Sequence, residues 1–303
     1  MPTASVDMAP RNVQCHNIEG SAAVSSPAVQ PIVALLSGSV GGNPNQYIVE
    51  KAFAHHDLDW RYLTVEIDPE DLGDAVRGMR AMGFGGGHCD NPHKQSIVPL
   101  LDRTSATAAM VAAVNLILRE GDELVGENTE GKGLLEALRR LIDPAGKRIV
   151  LLGAGRMARA IGVELAAAGP AEIGVVNRDR KRAEELISLL ADKLGAPIVG
   201  SAWEGQLPPE SDVLINATSI GHEDPDARAP LDLESLDART IVADVTINPP
   251  ATWLLHEAGR RGCTTLDGLA VYIEQLAIGV KLWTGIDPDR EVMREAAEEF
   301  LGL

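Results

Sequence analysis

Cysteine is scarce in this chain of 303 residues, with three in all, aromatic residues make up only 3%, and 27 Lys and Arg face 44 Asp and Glu. Cys15, Cys89 and Cys263 lie far apart without a C-x-x-C pair, which argues against a disulfide framework or a structural zinc site. The net charge of −17 repels polyanions, so nucleic acid is excluded as an expected partner. No apolar run approaches the ~20 residues that cross a bilayer, and the longest, 160–168, is interrupted by Glu164. A membrane is therefore not an expected partner either. Residues 1–30 carry Asp7, Arg11 and Glu19 without the apolar stretch of a secretory leader, so a cytoplasmic location is expected. That segment, rich in Ala, Ser, Pro and Val but without period, reads as a flexible extension.

The chain is 45% hydrophobic, and its length suits about two domains. From Pro31 onward, short β-branched runs alternate with amphipathic stretches, the pattern of an α/β protein with largely parallel sheets. Strands are expected at 32–37, 61–67, 148–152, 172–177, 212–217 and 240–247. Helices are expected at 45–56, 71–82, 92–102, 131–142, 156–169, 180–194 and 252–261, with two more at 269–284 and 289–301. Residues 113–127 read as an antiparallel hairpin, two apolar runs joined by Arg119-Glu120-Gly121-Asp122. The break Asp143-Pro144-Ala145-Gly146-Lys147 divides a first domain, 31–142, from a second, 143–264, leaving 265–303 as C-terminal helices.

The sharpest local signal is VLLGAGRMARA at 150–160. Gly153, Gly155 and Ala158 take the G-x-G-x-x-A positions between a strand and a helix, the context in which a dinucleotide pyrophosphate rests on a helix N-terminus. Ala154, Arg156 and Met157 complete the turn. After the next strand comes Asn177-Arg178-Asp179-Arg180-Lys181-Arg182, four of whose six residues are basic. In so acidic a chain, this cluster predicts a landing site for the 2′-phosphate of NADP, while Asp179 keeps NAD open through a ribose hydroxyl. Cys89 stands between His88 and Asp90, but strand alternation sends it to the opposite face, so these three do not converge on a metal.

Together, PHK at 92–94, AVN at 113–115, GENTEGKG at 126–133, GAGRMARA at 153–160, NRD at 177–179, NATSIG at 216–221 and GLAVYIEQ at 268–275 resemble the shikimate/quinate dehydrogenase family. The resemblance implies an N-terminal α/β substrate domain, a Rossmann-type NADP domain and C-terminal helices returning to the first domain. It implies reversible hydride transfer between NADP and a ring hydroxyl of a small-molecule substrate, in a monomer or homodimer. Lys94 falls at the catalytic lysine and Glu130 at the catalytic aspartate. Asn115 and Gln275 fall at positions that bind substrate hydroxyls, and Thr218 and Ser219 in a loop lining the cofactor. Lys94 is then the general acid and base, oriented by Glu130, with a low-dielectric pocket expected to pull its pKa down.

The family's carboxylate-binding contacts do not carry over. Its serine pair aligns with Pro44 and Gln46 and its tyrosine with Ile247, while His88 and Asp90 replace an asparagine and a threonine. A carboxylate buried without donors is costly, and an added anion repels it. The expected substrate is therefore a polyhydroxylated ring without the usual carboxylate, or one bearing an amine that Asp90 pairs with. Gln46, Asn43 and Tyr47 are the alternative donors, and Tyr272 shares a helix face with Gln275. The competing reading is a non-catalytic NADP-binding sensor on the same scaffold.

Overall fold

Two six-stranded sheets organise the chain, each built from strands that alternate their side chains between two apolar layers. A computed structural model describes residues 30–194, 198–202, 210–222, 224–229, 231–234 and 236–303. The extension expected over 1–30 lies outside the described residues, Gln30 apart.

The first sheet contains β1 (Ile32–Ser37), β2 (Arg61–Glu66), β3 (Gly86–Cys89), β4 (Arg103–Thr104), β5 (Leu116–Glu120) and β6 (Glu123–Glu127), in the order β2-β1-β3-β5-β6-β4. β1 runs parallel to both β2 and β3, and β5 and β6 form the expected antiparallel hairpin. The second sheet contains β7 (Arg148–Leu152), β8 (Glu172–Asn177), β9 (Ile198–Ala202), β10 (Val213–Asn216), β11 (Ile241–Asp244) and β12 (Thr264–Leu266), in the order β12-β11-β10-β7-β8-β9. All its pairings are parallel.

Period-2 patterning explains why these runs are strands. In β1, Val33 and Leu35 join Val49, Phe53 and Tyr62 on one side, while Ala34 and Leu36 join Leu72, Val76 and Met79 on the other. In β7, Ile149 and Leu151 face one layer and Val150 and Leu152 the other. The layers are helical: α1 (Asn45–His55), α2 (Leu72–Ala81), α3 (His93–Ser96), α4 (Ala106–Val111), α5 (Glu130–Arg139), α6 (Arg156–Ala167), α7 (Arg180–Leu194), α8 (Trp253–Arg260), α9 (Gly268–Thr284) and α10 (Arg290–Leu301).

One helix departs from expectation. Instead of a helix over 92–102, α3 ends at Ser96 and a 3₁₀ turn follows at Val98–Leu100. Pro99 has no N–H to continue the ladder, so the chain tightens and turns into β4. The short elements β4, α4, β9 and β12 had no sequence signal strong enough to read.

The C-terminal helices pack beside the first sheet. Asp267 caps α9 by accepting from Ala270 N at 2.7 Å, and Trp283 near its far end donates to Ile117 O on β5 at 3.0 Å. Gly86 makes that approach possible, since a Cβ there would lie 2.2 Å from Ile117 O and 2.8 Å from Trp283 Nε1. α5 is wedged against α6 and α9 by two glycines. A Cβ on Gly131 would meet Ala160 O of α6 at 2.1 Å, and one on Gly133 would meet Val271 O of α9 at 2.8 Å. The N-terminus of α5 is thereby held at the cleft between the sheets. Replacing Gly131 with Ala should destabilise the protein by about 1–3 kcal/mol, as overpacking does, measured by urea unfolding; an unchanged midpoint would contradict the wedge.

Candidate active site

Parallel α/β sheets present ligands at the carboxyl ends of their strands, and here both sheets turn such ends toward one cleft. Asp90 follows β3 directly, Lys94 lies on α3, and Glu130 is the first residue of α5. The loop carrying Glu130 is determined by its own side chains. Asn128 Oδ1 accepts from Glu130 N at 3.1 Å, and Asn128 Nδ2 donates to Ala113 O at 3.2 Å. Val114 N donates to Lys94 O at 2.8 Å, so the AVN segment ties the lysine's backbone to the same network.

At its centre Lys94 Nζ lies 2.8 Å from Glu130 Oε1 and 2.9 Å from Asp90 Oδ1. Side-chain exposure is 17% for Lys94, 7% for Glu130 and 38% for Asp90. Burial alone would lower the Lys94 pKa, but the two carboxylates outweigh it and hold the ammonium above its ordinary value. This corrects the expectation that the pocket pulls the lysine down: with a second carboxylate present, charge pairing outweighs desolvation. Burial likewise opposes ionisation of Asp90, yet Lys94 and the Asn91 N–H, which donates to Oδ1 at 2.8 Å, bring its pKa below the ordinary value.

His88 does not reach the cleft. It is 3% exposed, its pKa is pushed down to about 3 by burial, and its ring is therefore neutral. Its Nδ1 lies 2.8 Å from the Tyr62 hydroxyl, Asn45 Nδ2 donates to Tyr62 Oη at 3.4 Å, and the Tyr272 hydroxyl donates to Asn45 Oδ1. Sequence reading singled out Tyr272 but missed Asn45 and Tyr62. Asn45 follows Pro44 at the start of α1, and nothing local to it signals burial. Cys89 faces the opposite side, in an apolar cluster that includes Leu36 and Ile97, and burial pushes its thiol up to about 12. No cluster of His, Cys, Asp and Glu suited to a metal occurs among the described residues.

The other expected substrate residues divide. Asn115 is 2% exposed and its side chain is largely engaged by Thr129, donating to Oγ1 at 3.0 Å and accepting from the backbone N–H at 2.8 Å. Gln275 packs beside Gly133, and Gln46 is half-buried on the first turn of α1. Ile247, at the family's tyrosine position, packs with the apolar cluster of α1, α9 and α10.

Across the cleft the glycine-rich turn runs from β7 into α6. Gly153 adopts φ +106°, which L side chains rarely take, and a Cβ on Gly155 would project into open space. A cavity of about 250 Å³ is lined by Gly153, Ala154, Gly155, Asn177, Arg178, Asp179, Arg182, Thr218 and Ser219. A larger one of about 680 Å³ joins Arg156, Met157 and Thr218 to Lys94 and Glu130. Asn216 shapes the loop between them, accepting from Thr218 Oγ1 at 2.6 Å while donating to the fully buried Asp244 at 2.9 Å. Of the basic cluster, Arg178 and Arg182 line the smaller cavity. Arg180 and Lys181 instead face Glu184 and Glu185 one turn along α7, at 2.7 and 3.9 Å, because four-residue spacing places them along the helix. Two of the four cations thus border the cavity. An open glycine turn at a helix N-terminus, followed by Arg178 just after β8 and Arg182 on the first turn of α7, fits a phosphorylated dinucleotide.

Comparison with known proteins agrees with this arrangement. Residues 45–117 match the shikimate dehydrogenase substrate-binding domain, and residues 136–224 match shikimate/quinate 5-dehydrogenase. A shikimate dehydrogenase (NADP+) of Bacillus licheniformis is 37% identical over 276 residues, covering 90% of this chain and 99% of its own. The ligand-free 5-ketofructose reductase of Gluconobacter sp. strain CHM43 is 43% identical with a TM-score of 0.87, covering 90% of this chain and 99% of its own. A shikimate dehydrogenase solved in complex with NADP+ is 33% identical with a TM-score of 0.82, covering 89% and 95%. No described helix is long and apolar enough to cross a membrane. With the two-domain α/β fold, the glycine-rich turn and the Lys94–Glu130 pair in family order, the chain belongs to the shikimate dehydrogenase family of oxidoreductases.

Proposed function

We propose that the chain is an NADP-linked dehydrogenase interconverting a hydroxyl and a carbonyl on a neutral cyclic polyol, with Lys94 as the proton-transferring group and shikimate a poor substrate. The carrying observation is the Lys94 ammonium, paired with both Glu130 and Asp90 at the mouth of the cofactor cleft. Gly153, Ala154, Gly155 and Arg156 are the residues to hold the pyrophosphate, and Arg178 and Arg182 the 2′-phosphate. Asp179 has Arg182 Nε at 3.5 Å, which favours the phosphate over a ribose hydroxyl at that end. Bound there, NADPH supplies the hydride that reduces the substrate carbonyl carbon. Lys94 delivers a proton from Nζ to the carbonyl oxygen as that oxygen gains charge, is left neutral, and regains a proton from water. In oxidation, neutral Lys94 removes the hydroxyl proton.

Substrate class follows from what the wall of the site lacks. Pro44, Gln46 and Ile247 replace the family's carboxylate contacts, and the Tyr272 hydroxyl is spent on Asn45. An amine-bearing substrate is disfavoured too, because its charge would lie beside the Lys94 ammonium already paired with Asp90 Oδ1. The 43% identical relative is a reductase of 5-ketofructose, a neutral sugar. A sensor without catalysis would have no use for an ammonium held charged by two carboxylates beside the cofactor.

NADPH-linked reduction of 5-ketofructose and neutral cyclic ketones, set against NADP-linked oxidation of shikimate and quinate, tests this reading. Turnover of the neutral compounds should exceed that of the acids, and equal or better use of shikimate would overturn the substrate class. Lys94→Ala should lower kcat by about 10²- to 10⁴-fold, the usual worth of a general acid, while leaving NADP affinity intact. Unchanged kcat would remove Lys94 from the mechanism.

The raised Lys94 pKa gives a direction to the pH dependence. His88 is neutral, so Asp90 and Glu130 are the charged groups that govern the lysine. At neutral pH the acid form dominates and reduction should be nearly flat with pH. Oxidation needs the scarce base form and should rise about tenfold per pH unit toward the lysine's pKa. Steady-state rates in both directions measure this; an oxidation profile that levels off near neutrality would contradict it.

A further inference from the structure

A third cavity lies away from the cleft. It encloses about 200 Å³ between the C-terminal end of α5, β12, α9 and α10, and it shares no lining residue with either cleft cavity. Arg140, which caps α5, is ten residues from Glu130, about 15 Å along the helix axis. The floor is apolar: Leu266 and Ile273 are buried there, Ala137 and Ala270 are small, and Leu141 remains 44% exposed. Of the four charged residues that line it, Arg140, Arg290 and Arg294 are cations and Glu274 is the one anion. In a chain of net charge −17, an excess of cations around one cavity runs against the background.

Glu274 explains why two of the arginines converge. Its side chain is 5% exposed, with Arg140 Nη2 at 2.6 Å from one carboxylate oxygen and Arg290 Nε at 3.2 Å from the other. Arg290 also pairs with Asp287, and Arg294 with Asp267 at 2.9 Å and Glu298 at 2.8 Å. Those three carboxylates fix the arginines without lining the cavity, so positive charge is in excess at the cavity wall itself. Arg140 is the least committed of the three: among the described residues only Nη2 is bonded, and 59% of its side chain is exposed. Its Nε and Nη1 N–H groups are left to donate to a ligand.

We propose that this cavity is an accessory binding site for a small monocarboxylate with a compact apolar body, of benzoate size, held by Arg140 and seated on Leu266, Ala270 and Ile273. The carboxylate takes the open N–H groups of the guanidinium, whose fork matches it, while the apolar body covers the floor. An inorganic anion gains nothing from that floor, and a cation is repelled by the arginines. A dinucleotide is too large, since pockets for drug-sized ligands begin at roughly 300 Å³. The occupant is neither the substrate nor the cofactor of the cleft, and the inference does not rest on the proposed dehydrogenase role.

Titration of the NADP+-loaded full chain with benzoate, benzyl alcohol and inorganic phosphate, followed by amide NMR shifts, tests the site with the cofactor cleft already filled. Benzoate should shift amides of α5, α9 and α10 around the cavity. It should bind about tenfold or more tightly than benzyl alcohol, the scale of one hydrogen bond to a charged group, and than phosphate, which lacks the apolar body. Arg140→Gln should bring benzoate to parity with benzyl alcohol. Ala270→Leu, which fills the floor and leaves the arginines in place, should weaken both organic probes about tenfold or more, as loss of the apolar seat requires. Each variant is checked for folding by thermal melting, and either one is decisive if the other fails to fold. No saturable benzoate binding, shifts confined to the glycine-rich turn and the cleft, or equal binding of phosphate overturns the proposal. So does a benzoate preference that survives in folded Arg140→Gln, or binding undiminished in folded Ala270→Leu.

Discussion

An ammonium held between two carboxylates in a partly enclosed cleft is the constraint around which this protein is arranged. Bringing such charges out of water costs several kcal/mol per ion, and only close pairing with satisfied hydrogen bonds offsets it. The surroundings of Lys94 meet that demand with Glu130 at 2.8 Å, Asp90 at 2.9 Å and a backbone network through Asn128, Val114 and Asn91. A single carboxylate would have left desolvation and attraction closer to balance. With two, the lysine is held as an ammonium above its ordinary pKa.

The scaffold positions this cluster by close backbone approach as well as by side-chain packing. α5 carries Glu130 at its first turn and is held by Gly131 against α6 and by Gly133 against α9. The same helix thus touches the glycine-rich turn's helix on one flank and the C-terminal helix on the other. Gly86 performs a similar service for α9, letting Trp283 cross β3 and reach Ile117 O. Lys94, Glu130 and the glycine-rich turn are brought to one cleft because these small residues let three helices approach at backbone distance.

Much of the architecture was legible in the chain. The alternation in IVALLS and RIVLL, the hairpin around Gly121 and the turn GAGRMARA each carry a local period or a conformational requirement that one short segment states completely. Lys94 and Glu130 were legible only through motifs in series, since a lone lysine is ordinarily a surface cation. The polar chain from Tyr272 through Asn45 and Tyr62 to His88 was not legible, because its members come from α9, α1, β2 and β3 and none has a local pattern that foretells a partner.

Residue identity alone determined the acid excess, the glycine-rich turn and the presence of Asp90 near Lys94 in the chain. It left undecided whether the basic cluster acts as four cations or two, and whether Asp90 faces a ligand or the lysine. Helix spacing in three dimensions drew Arg180 and Lys181 to Glu184 and Glu185, leaving Arg178 and Arg182 on the cavity. Tertiary structure likewise set the Lys94 pKa upward. The sign of that shift depends on distances to two carboxylates from separate elements, and a sequence does not contain distances.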